Sequence, residues 1–232
     1  MFESLVRQVA DFRGDLVRNI KGIRVSQDLF DDLARDMGEG EADRAVAIAA
    51  EGATRMPSPA PLITRPFDYG TVITYPFAPY NWQATRYSDG LEYGVWYGAL
   101  ELETTVYETL YHWHRFVTDS FWVDKEITGE RRVFSVRCEA ILIDLRDAAE
   151  PRLVDRASYA FTHPLGRHLW QRAQSGLLAP SARGPGVSAA VFRPEVLSEV
   201  RDMCFLTYHL KDNTATVERT PGETWLRITI PP

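Results

Sequence analysis

Cysteine is nearly absent from this chain of 232 residues, and its two thiols, Cys138 and Cys204, stand far apart with no CxxC or CxxH around either. That excludes a zinc site built on thiolates and predicts free, mostly buried thiols in a reducing compartment. Basic clusters are missing too: no Lys/Arg run exceeds the pair Arg131–Arg132, and the net charge is -6. Broad electrostatic attraction to nucleic acid is therefore not expected. The first twenty residues carry charge throughout and no uninterrupted apolar run. They predict neither a secretion signal nor a membrane span, and a cytoplasmic setting is the expectation. There is no P-loop, no GxGxxG and no GxSxG elbow. Rossmann-type cofactor use and acyl hydrolysis are thereby poor readings.

What is present is an ordinary globular composition, 45% hydrophobic and 25% charged, with length enough for one full domain and an appendage, or for two small domains. Methionine is scarce at four residues, against eleven Phe, ten Tyr and six Trp, so aromatics carry much of the packing. Residues 1–55 read as helical. Phe2, Leu5, Val9, Phe12, Leu16 and Ile20 form an apolar stripe at helical spacing. A second helix is expected from Ser26 to Gly38 and a third, Ala-rich, over about 41–53. Pro57, Pro59, Pro61 and Pro66 then mark a linker or strap. The organisation expected is a helical N-terminal extension over 1–60 and a catalytic domain over 61–232.

Beyond residue 70 short strands mix with a few helices. "TVITY" alternates as a strand does. "RRVFSVRCEAILIDL" places Phe134, Val136 and Cys138 on one face before an apolar run enters the core. "THPLGRHLWQRAQSG" predicts a short helix with Thr162 as N-cap and Gly176 just past its end. "VSAAVF", "MCFLTYHL", "TATVER" and "WLRITI" supply strands, the last three as antiparallel neighbours. Without regular βαβ alternation this is an α+β chain.

The stretch "VWYGALELETTVYETLYHWH" (95–114) opens as a strand ending near Tyr97 and becomes a helix. Leu102, Val106, Leu110 and Trp113 recur at steps of three and four, so they face a core. Glu101, Thr105, Glu108 and His112 share a different stripe. Arg86, in a probable strand, lies eleven residues before Tyr97, and Tyr97 eleven before Glu108. A second loop, "GLLAPSARGPGVSAAVF", carries Ser181 among glycines that let backbone approach a ligand closely.

These pieces in this order, "RY…YGALELETTVYE…GLLAPSARGPGVSAAVFRP" with "LIDL" between, resemble the RES domain over roughly residues 70–215. The family's Arg, Glu and Ser match Arg86, Glu108 and Ser181, and its strand-to-helix tyrosine matches Tyr97. The resemblance implies a fold similar to ADP-ribosyltransferase toxins: a mixed β core with flanking helices. It implies a toxin of a bacterial toxin–antitoxin pair, partnered by an Xre-type antitoxin, that attacks NAD+ at the nicotinamide–ribose bond. NAD+ would be a substrate, with no cofactor held permanently. The acceptor stays open between water (glycohydrolase), phosphate (phosphorylase) and a protein side chain (ADP-ribosyltransferase). A catalytically inactive binding module is the reading from another class. A homo-oligomer is possible, and neither nucleic acid nor membrane is expected as a partner.

Breaking that bond expels neutral nicotinamide and leaves an oxocarbenium-like ribosyl centre. Glu108 is the carboxylate assigned to stabilise it, a role worth ~3–4 kcal/mol for a well-placed group. Arg86 is assigned to the diphosphate, which suits its fork of donors. Ser181 would donate to a phosphate or ribose oxygen, and Arg183 would reach phosphate. Tyr97 would offer nicotinamide an aromatic face and the ribose a hydroxyl. His112 would touch the ribose or steer the acceptor. His112 and His114 spell "HWH", but residues two apart on a helix point in different directions, so no metal is assigned.

Overall fold

The computed structural model describes residues 2–22, 70–120 and 126–230. Its first regular element after a 3-10 turn at Leu5–Arg7 is strand β1 (Val9–Lys21), where helical spacing predicted a helix. Pairing overrides local periodicity here. Thirteen consecutive residues of β1, Val9 to Lys21, lie antiparallel against β3 (Ile127–Asp144), from Ile143 to Arg131. Asp11, Arg13 and Asp15 alternate outward at the exposed end. Leu16 and Val17 are both buried, because this end of the strand is covered on both faces. The helices expected at 26–38 and about 41–53, and the proline strap, lie outside the described residues. Met1–Gly22 groups with Tyr69–Pro232 as one compact unit.

The remaining elements are helix α1 (Gly70–Thr74), β2 (Trp96–Ala99), α2 (Leu102–Ser120), α3 (Thr162–Gln171), β4 (Gly176–Pro180), β5 (Val187–Val191), β6 (Leu197–Lys211), β7 (Thr214–Thr220) and β8 (Glu223–Thr229). The strand expected at "TVITY" is α1 and a 3-10 turn at Tyr75–Phe77. Val72 is buried there, and its carbonyl accepts from the Trp96 indole at 2.9 Å. Helix α3 begins at Thr162 itself with Phe161 in the cap position, and Gly176 opens β4 rather than closing the helix.

The sheet runs β1-β2-β5-β4-β3-β6-β7-β8, and β1 also pairs with β3. Five strands thus close into a ring, from which β6, β7 and β8 extend as the antiparallel neighbours the sequence predicts. The ring is nearly open at one seam: β1 meets β2 through a single pair, Val17 with Ala99. Helix α2 packs beside that seam. Its Val106 and Leu110 join Val17, Val133 and Leu206 in one apolar cluster, with Leu102 and Trp113 partly buried against it. Each such side chain contributes about 1.5–3 kcal/mol by leaving water. A second cluster, around Leu145, Leu165, Leu169 and Leu177, fixes α3 and β4. Both cysteines are free, Cys138 buried and Cys204 half-buried. No described helix is long and apolar enough to cross a membrane.

Candidate functional site

Glu108 stands on the second turn of α2, anchored by the apolar stripe on the helix's other side. The loop after β4 crosses directly over it. Ser181 donates its hydroxyl to Glu108 Oε1 at 2.6 Å, and the Ala182 amide donates to the same oxygen at 3.2 Å. The Ser181 oxygen in turn accepts from the amides of Arg183 and Gly184 at 3.2 and 3.4 Å. Oε2 has no hydrogen-bond partner among the described residues, and Glu108 lines a cavity of about 230 Å³. One carboxylate oxygen is fixed and the other is left to act.

The glycines of this loop serve the protein before any ligand. A Cβ at Gly184 would lie 2.4 Å from Cγ of Tyr107, and one at Gly186, where φ is +95°, would lie 2.0 Å from Thr104 Oγ1. Backbone without side chains is what lets the loop dock on the first turns of α2. Thr104 completes the dock by donating to the Pro185 carbonyl at 3.0 Å. The sequence expectation of close approach holds, but the surface approached is a helix.

Arg86 lies not in a strand but in a turn, closed by the bridge between Thr85 and Ser88. Its Nη1 donates to the carbonyls of Leu153 and Asp155 at 3.1 and 2.9 Å, and its guanidinium sits 5.0 Å from the Tyr159 ring centroid. Nε and Nη2 have no hydrogen-bond partner among the described residues, and the residue lines the same cavity as Glu108. Tyr97, on β2, holds this turn from beneath. Its hydroxyl accepts from the Tyr87 amide at 2.9 Å and donates to Thr85 Oγ1 at 2.9 Å, so it clasps the residues on either side of Arg86. Burial raises the Tyr97 phenol above its ordinary value, as it does for Tyr87. The Tyr97 hydroxyl thus already holds two protein partners, and Tyr97 also lines the cavity.

His112, one turn beyond Glu108, is exposed at the cavity rim. Desolvation around its ring lowers its affinity for a proton, helped by Arg183, Arg86 and Arg115 and opposed by Glu108. His114 instead contacts Asn213 at 3.3 Å, so the two histidines diverge. Among the described residues no cluster of His, Cys, Asp or Glu is arranged to hold a metal ion. Arg183 does not line the cavity. Its Nη1 donates to the Arg156 carbonyl at 3.0 Å and its guanidinium covers the Tyr111 ring at 3.3 Å. Ser181 is likewise a support for Glu108 rather than part of the cavity wall.

The cavity contains residues that the sequence did not single out. Strand β1 contributes Arg18 and Asn19, the second turn residue Tyr87 stands beside Arg86, and β5 contributes Ser188. Asn19 donates to Thr105 Oγ1 at 3.3 Å and to the Tyr208 hydroxyl at 2.9 Å, tying β1 to the helix of Glu108. Thr105 and Tyr87 carried a signal, one turn before Glu108 and next to Arg86. Arg18 and Asn19 carried none, because their segment reads as a helix.

The profile of the RES domain matches residues 62–211 of this chain. The chain belongs to the RES-domain family. No curated protein matches it. Among solved structures this RES-domain chain is similar to a chain in the crystal structure of the M. tuberculosis MbcT–MbcA toxin–antitoxin complex. The similarity is 13% in sequence identity over 84% of this chain and 86% of that chain, with a TM-score of 0.45. Arg86, Tyr97, Glu108 and Ser181 all fall within the matched segment, while Arg18 and Asn19 of the RES-domain chain precede it.

Proposed function

We propose that this RES-domain protein is the toxin of a toxin–antitoxin pair and cleaves NAD+ at the nicotinamide–ribose bond. The observation that carries the reading is the Glu108 carboxylate, fixed through Oε1 by Ser181 and Ala182 and presented to a cavity that it shares with Arg86. When the C–N bond breaks, its electron pair moves to the pyridine nitrogen and neutral nicotinamide leaves. The ribosyl carbon becomes cationic, and a preorganised anion stabilises that state more than the ground state. At about 230 Å³ the cavity is below the ~300–1,000 Å³ range of sites that enclose a whole drug-sized ligand, so it suits one end of the dinucleotide. Arg86, with two nitrogens uncommitted, is suited to the diphosphate at the entrance.

An Xre-type antitoxin is the partner this reading implies, and occlusion of the Arg86–Glu108 cavity is the inhibition it would exert. The reaction is tested with purified protein and NAD+, with and without phosphate, analysing small products and protein mass together. ADP-ribose identifies hydrolysis, and ADP-ribose-1″-phosphate formed only with phosphate identifies phosphorolysis. A mass shift on an added protein would move the assignment to protein transfer using the same first step. Intact NAD+ in every mixture would overturn the proposal.

A further inference from the structure

Strand β1 brings a guanidinium to the cavity wall at Arg18. Its Nη1 donates to the carbonyl of Tyr97, and its Cζ lies 5.1 Å from the centroid of the Trp96 ring. Its Nε is buried with no hydrogen-bond partner, and no carboxylate among the described residues pairs with it. A carbonyl dipole and an indole face compensate a cation only in part. Buried charges are ordinarily paired, and a buried donor left unmade costs about 1–3 kcal/mol. Burial brings the Arg18 guanidinium down to about 10, which still leaves it charged at neutral pH.

A second unmatched donor lies on the same wall. Ser188 lines the cavity from β5, and its buried hydroxyl also has no partner. Arg86 adds two more uncommitted donors. The wall thus offers N–H and O–H groups and two guanidinium charges, against the single carboxylate of Glu108. Such a set is complementary to an oxyanion.

We propose that Arg18, from a strand preceding the matched RES segment, is an anion-binding residue of this cavity and that its ligand is a phosphoryl group. The choice of phosphoryl rests on the NAD+ reading above. Two sources share that chemistry: the diphosphate of the dinucleotide, and inorganic phosphate entering as acceptor. The planar fork of arginine matches phosphoryl oxygens in a way that the point charge of lysine does not.

The test is calorimetric titration of the full-length protein with inorganic phosphate, with ADP, and with adenosine as the phosphate-free control. At least one anion binds the parent chain, and Arg18→Met weakens it at least ten-fold while adenosine is unaffected. Arg18→Lys loses less, and it decides the matter where Arg18→Met does not fold. Loss for ADP assigns the dinucleotide's diphosphate, and loss for phosphate alone assigns the acceptor. Unchanged affinity for both anions in the variants, or no binding of either by the parent, overturns the proposal. NAD+ cleavage is followed in parallel. Cleavage by a parent whose anion binding ignores Arg18 removes this inference alone. Arg18-dependent anion binding with NAD+ left intact removes the cleavage reading alone.

Discussion

Ser181 grips Glu108: hydroxyl and carboxylate oxygen lie 2.6 Å apart although 73 residues separate them in the chain. The contact gives the serine a positioning role. Glu108→Gln keeps the shape and loses the charge, and kcat for NAD+ cleavage should fall about 10²–10³-fold. Ser181→Ala leaves the charge but frees the carboxylate, so kcat should fall about ten-fold, with KM little changed. Steady-state kinetics on both variants check this. Equal losses in the two would mean that Ser181 touches substrate itself.

Tyr97 acts on Arg86 through the turn they share. Tyr97→Phe removes the group that accepts from the Tyr87 amide and donates to Thr85. Leaving that amide unmatched should cost about 1–3 kcal/mol, and the loosened turn should raise KM more than it lowers kcat. Denaturant melts and NAD+ kinetics read the two effects separately. A loss confined to kcat would instead return the tyrosine hydroxyl to the reacting ribose.

Gly184→Ala tests the dock between the serine loop and α2. The new methyl would meet the Tyr107 ring at 2.4 Å. Overpacking of this kind costs about 1–3 kcal/mol, and relief requires the loop to lift, which carries Ser181 away from Glu108. The variant should lose stability and kcat together. The double variant with Tyr107→Ala should recover part of both, because the ring contacts at 2.4 and 2.6 Å are gone and only the 2.8 Å contact with the residue's Cβ is left.

How much of this was legible beforehand follows from what each residue depends on. Val106 and Leu110 announce their face by spacing alone, and α2 is where they place it. Glu108 and Ser181 are paired by the family resemblance, but their direct bond is tertiary and no local pattern contains it. Tyr97 is assigned to the ligand through the family's strand-to-helix tyrosine. Its hydroxyl's protein partners, on a turn ten and twelve residues earlier in the chain, are tertiary contacts that no local pattern contains. The largest miss is β1, where apolar residues at helical spacing concealed the outward alternation of Asp11, Arg13 and Asp15. The same spacing hides Arg18 and Asn19, since a helical extension carries no expectation of a place in the cavity wall.

His112 supplies the pH dependence. Its imidazole is held below its ordinary value by desolvation, which Glu108 opposes and to which Arg183, Arg86 and Arg115 add. The unfolded chain takes up this proton near pH 6.5, while the folded protein takes it up only at lower pH. Between those values the unfolded state binds more protons, so the contribution to stability is present above about pH 6.5 and is lost as pH falls below it. His112→Gln removes the titration while keeping a polar side chain at the rim. On going from about pH 7.5 to about pH 5, the urea midpoint of the parent should fall further than that of the variant. Carboxylates common to both cancel in the comparison. Parallel curves would mean that His112 titrates alike in the folded and unfolded chains.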